Sequence, residues 1–213
     1  MRAVIFDMDG VIFDSERATY ECWLELSKKY GFDDLWTPYE KCIGVNYEKT
    51  KEIFLDFYGD DFPFETYCKE ESRNYHRKYD GGNLSVKAGV RKLLKYLKDE
   101  GYFIAIASST RTKTVELQIN EAGIASFFDR VIGGDQISKS KPAPDIFLKA
   151  AEGVAADDFY VIEDSYNGIR AAHAAKMHPI MVPDMLQATD EMKALADVVL
   201  PDLHAVISWL GEQ

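Results

Sequence analysis

Residues 1–16 read MRAVIFDMDGVIFDSE, and the reading of the fold starts from this stretch. Ala3-Val4-Ile5-Phe6 is a continuous apolar run that stops at Asp7-Met8-Asp9-Gly10. Such a run predicts a strand covered on both faces, as in a parallel sheet. Carboxylates at its C-terminal end then lie at the sheet edge where α/β proteins hold their ligands. Asp7 and Asp9 crowd two negative charges into one tight loop, which a cation or a proton must relieve. A second apolar triplet, Val11-Ile12-Phe13, ends at Asp14-Ser15-Glu16.

Beyond Ser15 the apolar spacing turns helical. Cys22, Trp23, Leu26 and Tyr30 share one helix face, and Gly31 offers a stop. Pro38 to Val45 reads as a short connector. Asn46 caps a helix whose apolar face is Ile53, Phe54 and Phe57. The next helix, Phe64 to Lys78, uses Phe64, Tyr67, Cys68 and Tyr75, and Asp80-Gly81-Gly82-Asn83 reads as a flexible joint.

From Ser85 the texture alternates between helix and strand. A helix carrying Val90, Leu93, Leu94 and Leu97 precedes a strand from Tyr102 to Ala107 that ends in Ser108-Ser109-Thr110. A helix with Val115, Ile119 and Ala122 precedes a strand from Phe128 to Ile132. Lys141-Pro142-Ala143-Pro144 leads into a helix with Ile146, Phe147 and Ala150. The strand Phe159 to Ile162 ends in Glu163-Asp164-Ser165 and is followed by a helix through Ile169 and Ala172. Late strands at 180–182 and 198–200 and a helix from Leu203 to Leu210 close the pattern. This alternation predicts an α/β fold, an open parallel sheet with right-handed crossovers. Residues 1–15 and 81–213 form the expected core. Residues 16–80 form an inserted all-helical domain on two connectors, able to move as a lid.

The 213 residues are 46% hydrophobic and 29% charged, an ordinary globular composition. A net charge of −11 argues against nucleic acid and anionic membrane as partners. The apolar stretches are too short to span a bilayer, no cleavable signal is read, and the expected location is the cytoplasm. Cys22, Cys42 and Cys68 are odd in number and lack metal-ligand spacing, so they read as thiols of a reducing compartment. The histidines show no triad or metalloprotease spacing, and no Walker loop or G-x-S-x-G elbow is present.

In a parallel sheet Asp7/Asp9, Ser108/Ser109, Lys141 and Glu163/Asp164 converge on one edge. Such oxygen donors suit Mg²⁺, a hard cation held by a few carboxylates together with phosphate oxygens. With Asp7-Met8-Asp9-Gly10-Val11, Ser108-Ser109, Lys141-Pro142-Ala143-Pro144-Asp145 and Glu163-Asp164-Ser165-Tyr166-Asn167-Gly168 in this order, the chain resembles the haloacid dehalogenase superfamily. The likeness covers essentially the whole chain. It is to the helical-cap phosphatase and β-phosphoglucomutase-like branch, with a Rossmann-like core.

The resemblance implies that Asp7 attacks phosphorus and carries an aspartyl-phosphate. Asp9 acts as general acid and then base. Mg²⁺ is held by Asp7, the Asp9 backbone carbonyl and Asp164, with Glu163 direct or one shell out. Ser108 and Ser109 grip phosphate with Lys141, and Gly10 joins that set while fitting the tight backbone there. The second aspartate marks phosphoryl transfer rather than dehalogenation.

Specificity is expected from the helical insert, with Glu16, Asn46 and Tyr47 as candidate contacts. Members that isomerise β-glucose 1-phosphate carry a lysine and an arginine around a Gly-Val-Ser core; here that stretch is Ile43-Gly44-Val45-Asn46-Tyr47. The expected function is Mg²⁺-dependent hydrolysis of a small phosphorylated metabolite, a sugar phosphate first, by a monomer. A β-phosphoglucomutase-like isomerase is the alternative among enzymes. From another class, a receiver-like signalling or non-catalytic phosphate-binding module shares the acids, hydroxyl and lysine.

Overall fold

In the computed structural model, which describes all of residues 1–213, β1 (Arg2–Phe6) lies in the middle of the sheet. It pairs in parallel with β2 (Phe103–Ser108) on one side and β4 (Asp158–Glu163) on the other. With β3 (Arg130–Gly133), β5 (His178–Met181) and β6 (Val198–Val199) the parallel sheet has six strands in the order β3-β2-β1-β4-β5-β6. The chain builds outward from β1 to β3, then returns to the far side of β1 as β4. Strand order therefore reverses between β1 and β4, which opens a crevice at their C-terminal ends.

Alternate strand residues serve opposite faces, as the pleat requires. Val4, Phe6, Ile104, Ile106 and Ile162 pack with α5 (Val90–Asp99), α6 (Thr112–Glu121) and α10 (Leu203–Leu210). Ile5, Ala105, Ala107 and Val161 pack with α7 (Asp145–Ala151) and α8 (Tyr166–Ala174). This double cover explains why β1 reads as an unbroken apolar run.

Between β1 and α5 the chain forms helices, α1 (Ser15–Tyr30), α2 (Trp36–Tyr39), α3 (Tyr47–Tyr58) and α4 (Phe64–Tyr79), and no named strand, with isolated bridges at Asp9–Phe13 and Phe13–Val86. Trp23, Leu26, Tyr39, Phe54, Phe64 and Tyr67 form a separate apolar cluster. Trp23 lies 4.5 Å from Phe54 and 4.9 Å from Tyr67 between ring centroids, the spacing of packed aromatic pairs. Gly31 closes α1 at φ 73° with its N–H on the Ser27 carbonyl, and Asn46 Oδ1 caps α3 by accepting the Lys49 N–H at 3.0 Å. The two connectors run side by side. Asp14 N–H donates to the Ser85 carbonyl at 3.0 Å and Lys87 N–H to the Ile12 carbonyl at 2.9 Å.

Some local expectations need correcting. Phe57 is 41% exposed, because α3 buries only Phe54 fully and its apolar stripe is wider than the cluster can cover. The connector after residue 35 contains α2, whose Pro38 and Tyr39 are buried. α9 (Asp190–Leu195) shows no readable stripe in the sequence, since Met192 is its one buried residue among six. No helix is long and apolar enough to cross a membrane. All three cysteines are free thiols.

Candidate active site

The crevice between β1 and β4 gathers the acids. Asp7 continues the ladder past β1, its N–H donating to the Ile162 carbonyl at 3.0 Å. One carboxylate oxygen each from Asp7, Glu163 and Asp164 fall within 4.8 Å of one another, and all three residues are buried. Burial, with Glu163 and Asp9 nearby, pushes the Asp7 carboxyl up to about 8, against the pull of Lys141. Burial and the Glu163 and Asp7 charges raise Asp164 well above the ordinary carboxylate range. The chain thus concentrates more negative charge here than it neutralises.

Lys141 is the counterweight. Its side chain is 3% exposed, and its ammonium contacts Asp7 Oδ1, Glu163 Oε1 at 2.6 Å and the Ala107 carbonyl at 3.2 Å. Burial opposes the charged lysine, but Asp7 and Glu163 outweigh it and hold its pKa above the usual range. Glu163 is anchored in turn: Oε2 accepts the Asp164 and Ser165 N–H groups, both at 3.1 Å, and the Ser165 hydroxyl at 3.0 Å. Ser165 also caps α8 by accepting the Gly168 N–H at 3.0 Å. A Cβ at Gly168 would fall 1.9 Å from the Glu163 carboxyl, so this glycine makes room for the acid.

Asp9 sits in a different environment. Ser15 donates to its Oδ1 at 2.6 Å, and Thr110 and Ser108 donate to its Oδ2 at 2.9 and 3.2 Å. Ser108 is fully buried, its oxygen also accepting the Thr110 N–H at 3.0 Å. The Ser108 hydroxyl therefore faces Asp9, while Ser109 and Thr110 reach the cavity. Gly10 is likewise engaged: its N–H donates to the Phe13 carbonyl at 3.0 Å. At φ 75°, a Cβ on Gly10 would lie 2.2 Å from an Asp164 oxygen. Gly10 thus keeps open the space above the acids.

A cavity of about 820 Å³ extends from these acids to the helical block. Its floor includes Asp7, Asp9, Lys141 and Asp164, and its roof includes Glu16, Asn46 and Tyr47. Burial and the Asp9, Asp7 and Asp184 charges push Glu16 up to about 8, against a hydrogen bond from Tyr39. Gly44 closes the roof against the floor, since a Cβ there would meet Ser165 Cβ at 2.9 Å. The buried oxygen donors and the gap kept by Gly10 fit a small hard divalent cation.

The profile of the haloacid dehalogenase-like hydrolases matches residues 4–182. The chain belongs to the haloacid dehalogenase-like hydrolase family. Among its haloacid dehalogenase-like relatives, a phosphorylated carbohydrates phosphatase of Thermotoga maritima is 28% identical over 199 residues, covering 92% of this chain and 91% of that protein. A β-phosphoglucomutase of Bacillus subtilis is 30% identical over 217 residues, covering 96% and 94% respectively. The crystal structure of a hydrolase from Pseudomonas syringae shares the fold at a TM-score of 0.81 and 22% identity, over 100% of this chain and 99% of that one.

Within this haloacid dehalogenase-like site, sequence reasoning passed over several groups. Thr110 and Ser15 hold Asp9, and Thr19, Lys69 and Glu71 line the cavity. Asp184 is ion-paired to Lys87 and keeps its buried Oδ2 without a partner. Thr110 was legible as a strand-end hydroxyl and Ser15 as part of the first connector, whereas Asp184 stands in a loop whose pairing depends on the tertiary fold.

Proposed function

We propose that the chain is a Mg²⁺-dependent phosphatase that hydrolyses a small phosphorylated metabolite, a sugar phosphate first, through an aspartyl-phosphate on Asp7. The observation that carries this reading is the contrast between two aspartates on one cavity floor. Asp7 is packed among Lys141, Glu163 and Asp164, and Asp9 is held by three hydroxyls. Different environments divide the roles of two like groups.

Asp7, Asp164 and the Asp9 backbone carbonyl would hold Mg²⁺, with Glu163 fixing Lys141 and the 164–165 amides from behind. A cation held there would screen the Asp7 carboxylate from the phosphate it must approach. Asp7 attacks phosphorus and the ester P–O bond breaks, with Asp9 delivering a proton to the leaving oxygen. Water then attacks phosphorus, yields a proton to Asp9 and frees Asp7 with release of inorganic phosphate. Lys141 offsets the negative charge throughout, and Ser109 with Thr110 borders the phosphate. Residues 16–80 act as a lid on the paired connectors, closing to exclude water and opening for release.

A mutase must also hold a second phosphate. Ile43 instead packs in the helical block's own core, Lys49 pairs with Glu52 at 2.6 Å, and Lys69 is the one lid cation on the cavity. Hydrolysis therefore fits the lid better than isomerisation. The test is p-nitrophenyl phosphate turnover with Mg²⁺ and with excess chelator. Turnover is expected to vanish with chelator and return when Mg²⁺ is restored; equal rates in both would overturn the metal assignment.

A further inference from the structure

The far end of the cavity carries a group that nothing in the chain satisfies. On α4, Phe64, Tyr67, Cys68, Glu71 and Tyr75 recur at helix spacing on one inward stripe. Phe64 and Tyr67 are buried in the lid cluster, and Glu71 continues their stripe onto the cavity wall. Glu71 is half-buried, and no hydrogen bond or ion-pair partner from the chain holds its carboxylate. An acid on a cavity wall with no partner from the chain is free to accept hydrogen bonds from a ligand. Burial pushes its carboxyl up to about 7, with His76 opposing.

His76, the one basic group that acts on Glu71, pairs instead with Asp80 at 3.0 Å. Lys141 is bound to Asp7 and Glu163, and Lys51 to Glu65. Lys69 also lines the cavity but is exposed to solvent. The rest of the lid-side lining offers two more acids, Glu16 and the Lys51-paired Glu65, and the neutral polar groups of Thr19, Asn46, Thr50 and Ser72. Such a wall welcomes hydroxyl donors and repels a carboxylate or a second phosphate.

We propose that Glu71 is the specificity residue for the leaving alcohol, accepting hydrogen bonds from an uncharged, polyhydroxylated phosphate monoester and turning away esters that bear a second anionic group. This rests on the phosphatase reading and names the substrate class for the same site. Glu71 acts on recognition of the alcohol, and the phosphoryl chemistry stays with Asp7 and Asp9.

The test measures glucose 6-phosphate and 6-phosphogluconate as competitors of p-nitrophenyl phosphate hydrolysis. They share a carbon chain and differ in the carboxylate of the second. In the wild type glucose 6-phosphate is expected to compete about tenfold or more the better. Glu71→Gln is expected to bring the two inhibition constants together, and Glu71→Lys to reverse their order. Each ratio is taken within one variant, so a partly folded preparation does not alter it.

Equal wild-type inhibition, a glucose 6-phosphate that does not compete, or a ratio unmoved by Glu71→Gln overturns the proposal. Absence of wild-type p-nitrophenyl phosphate turnover instead overturns the phosphatase reading beneath it.

Discussion

Asp7→Asn is expected to lower p-nitrophenyl phosphate turnover by about 10⁴-fold or more while the chain stays folded. The amide keeps the shape of the carboxylate but is a poor nucleophile and a weak ligand for a hard cation. The fold has little reason to suffer. Asp7 lies within 4.8 Å of two other buried acids, and burial already pushes its carboxyl up to about 8. A neutral side chain removes part of that repulsion, so thermal unfolding without Mg²⁺ should occur at or above the wild-type temperature. Residual activity within tenfold of wild type would remove Asp7 from the nucleophile's role.

Lys141→Ala is expected to do the opposite to stability. The ammonium is the partner of both Asp7 and Glu163 and is almost wholly buried. Its removal leaves three buried carboxylates without a cation from the chain. Breaking a buried ion pair from one side costs about 3–5 kcal/mol, a large share of the stability of an ordinary domain. Urea unfolding in chelator should reveal that loss, and Mg²⁺ should restore more stability to Lys141→Ala than to the wild type. Turnover should fall by about 10²–10³-fold, the usual scale for one preorganised electrostatic contact. An unchanged urea midpoint without Mg²⁺ would contradict the counterweight role.

The strands and the acids were legible because each follows a local rule. β1 is apolar on every residue after Arg2, since helices cover both faces of the sheet. The tight turn at Asp7-Met8-Asp9-Gly10 was signalled by its glycine, and Gly10 does take a positive φ of 75°. Other features depended on contacts between distant segments. The Ser108 hydroxyl points to Asp9 because of how the turn after β2 meets β1, and no residue pattern encodes that direction. Lys87 and Asp184 are far apart in sequence and meet only when the second connector lies against the loop after β5.

Glu71 is the instructive case. Within Lys69-Glu70-Glu71-Ser72 it reads as one more solvated charge, and its neighbour Glu70 does pair with Lys29 at 2.5 Å on the surface. The stripe from Phe64 to Tyr75, followed at helix spacing, puts Glu71 on the inward face. Charge and periodicity disagree at this residue, and such disagreements concentrate at functional sites.

If phosphate passes through a covalent enzyme intermediate, the stereochemical course at phosphorus records it. Each in-line displacement inverts configuration, so transfer to Asp7 and then to water returns the starting hand. Hydrolysis of an isotopically chiral phosphorothioate ester by the wild-type protein should proceed with retention. Inversion would mean that water attacks the substrate directly, contradicting the aspartyl-phosphate.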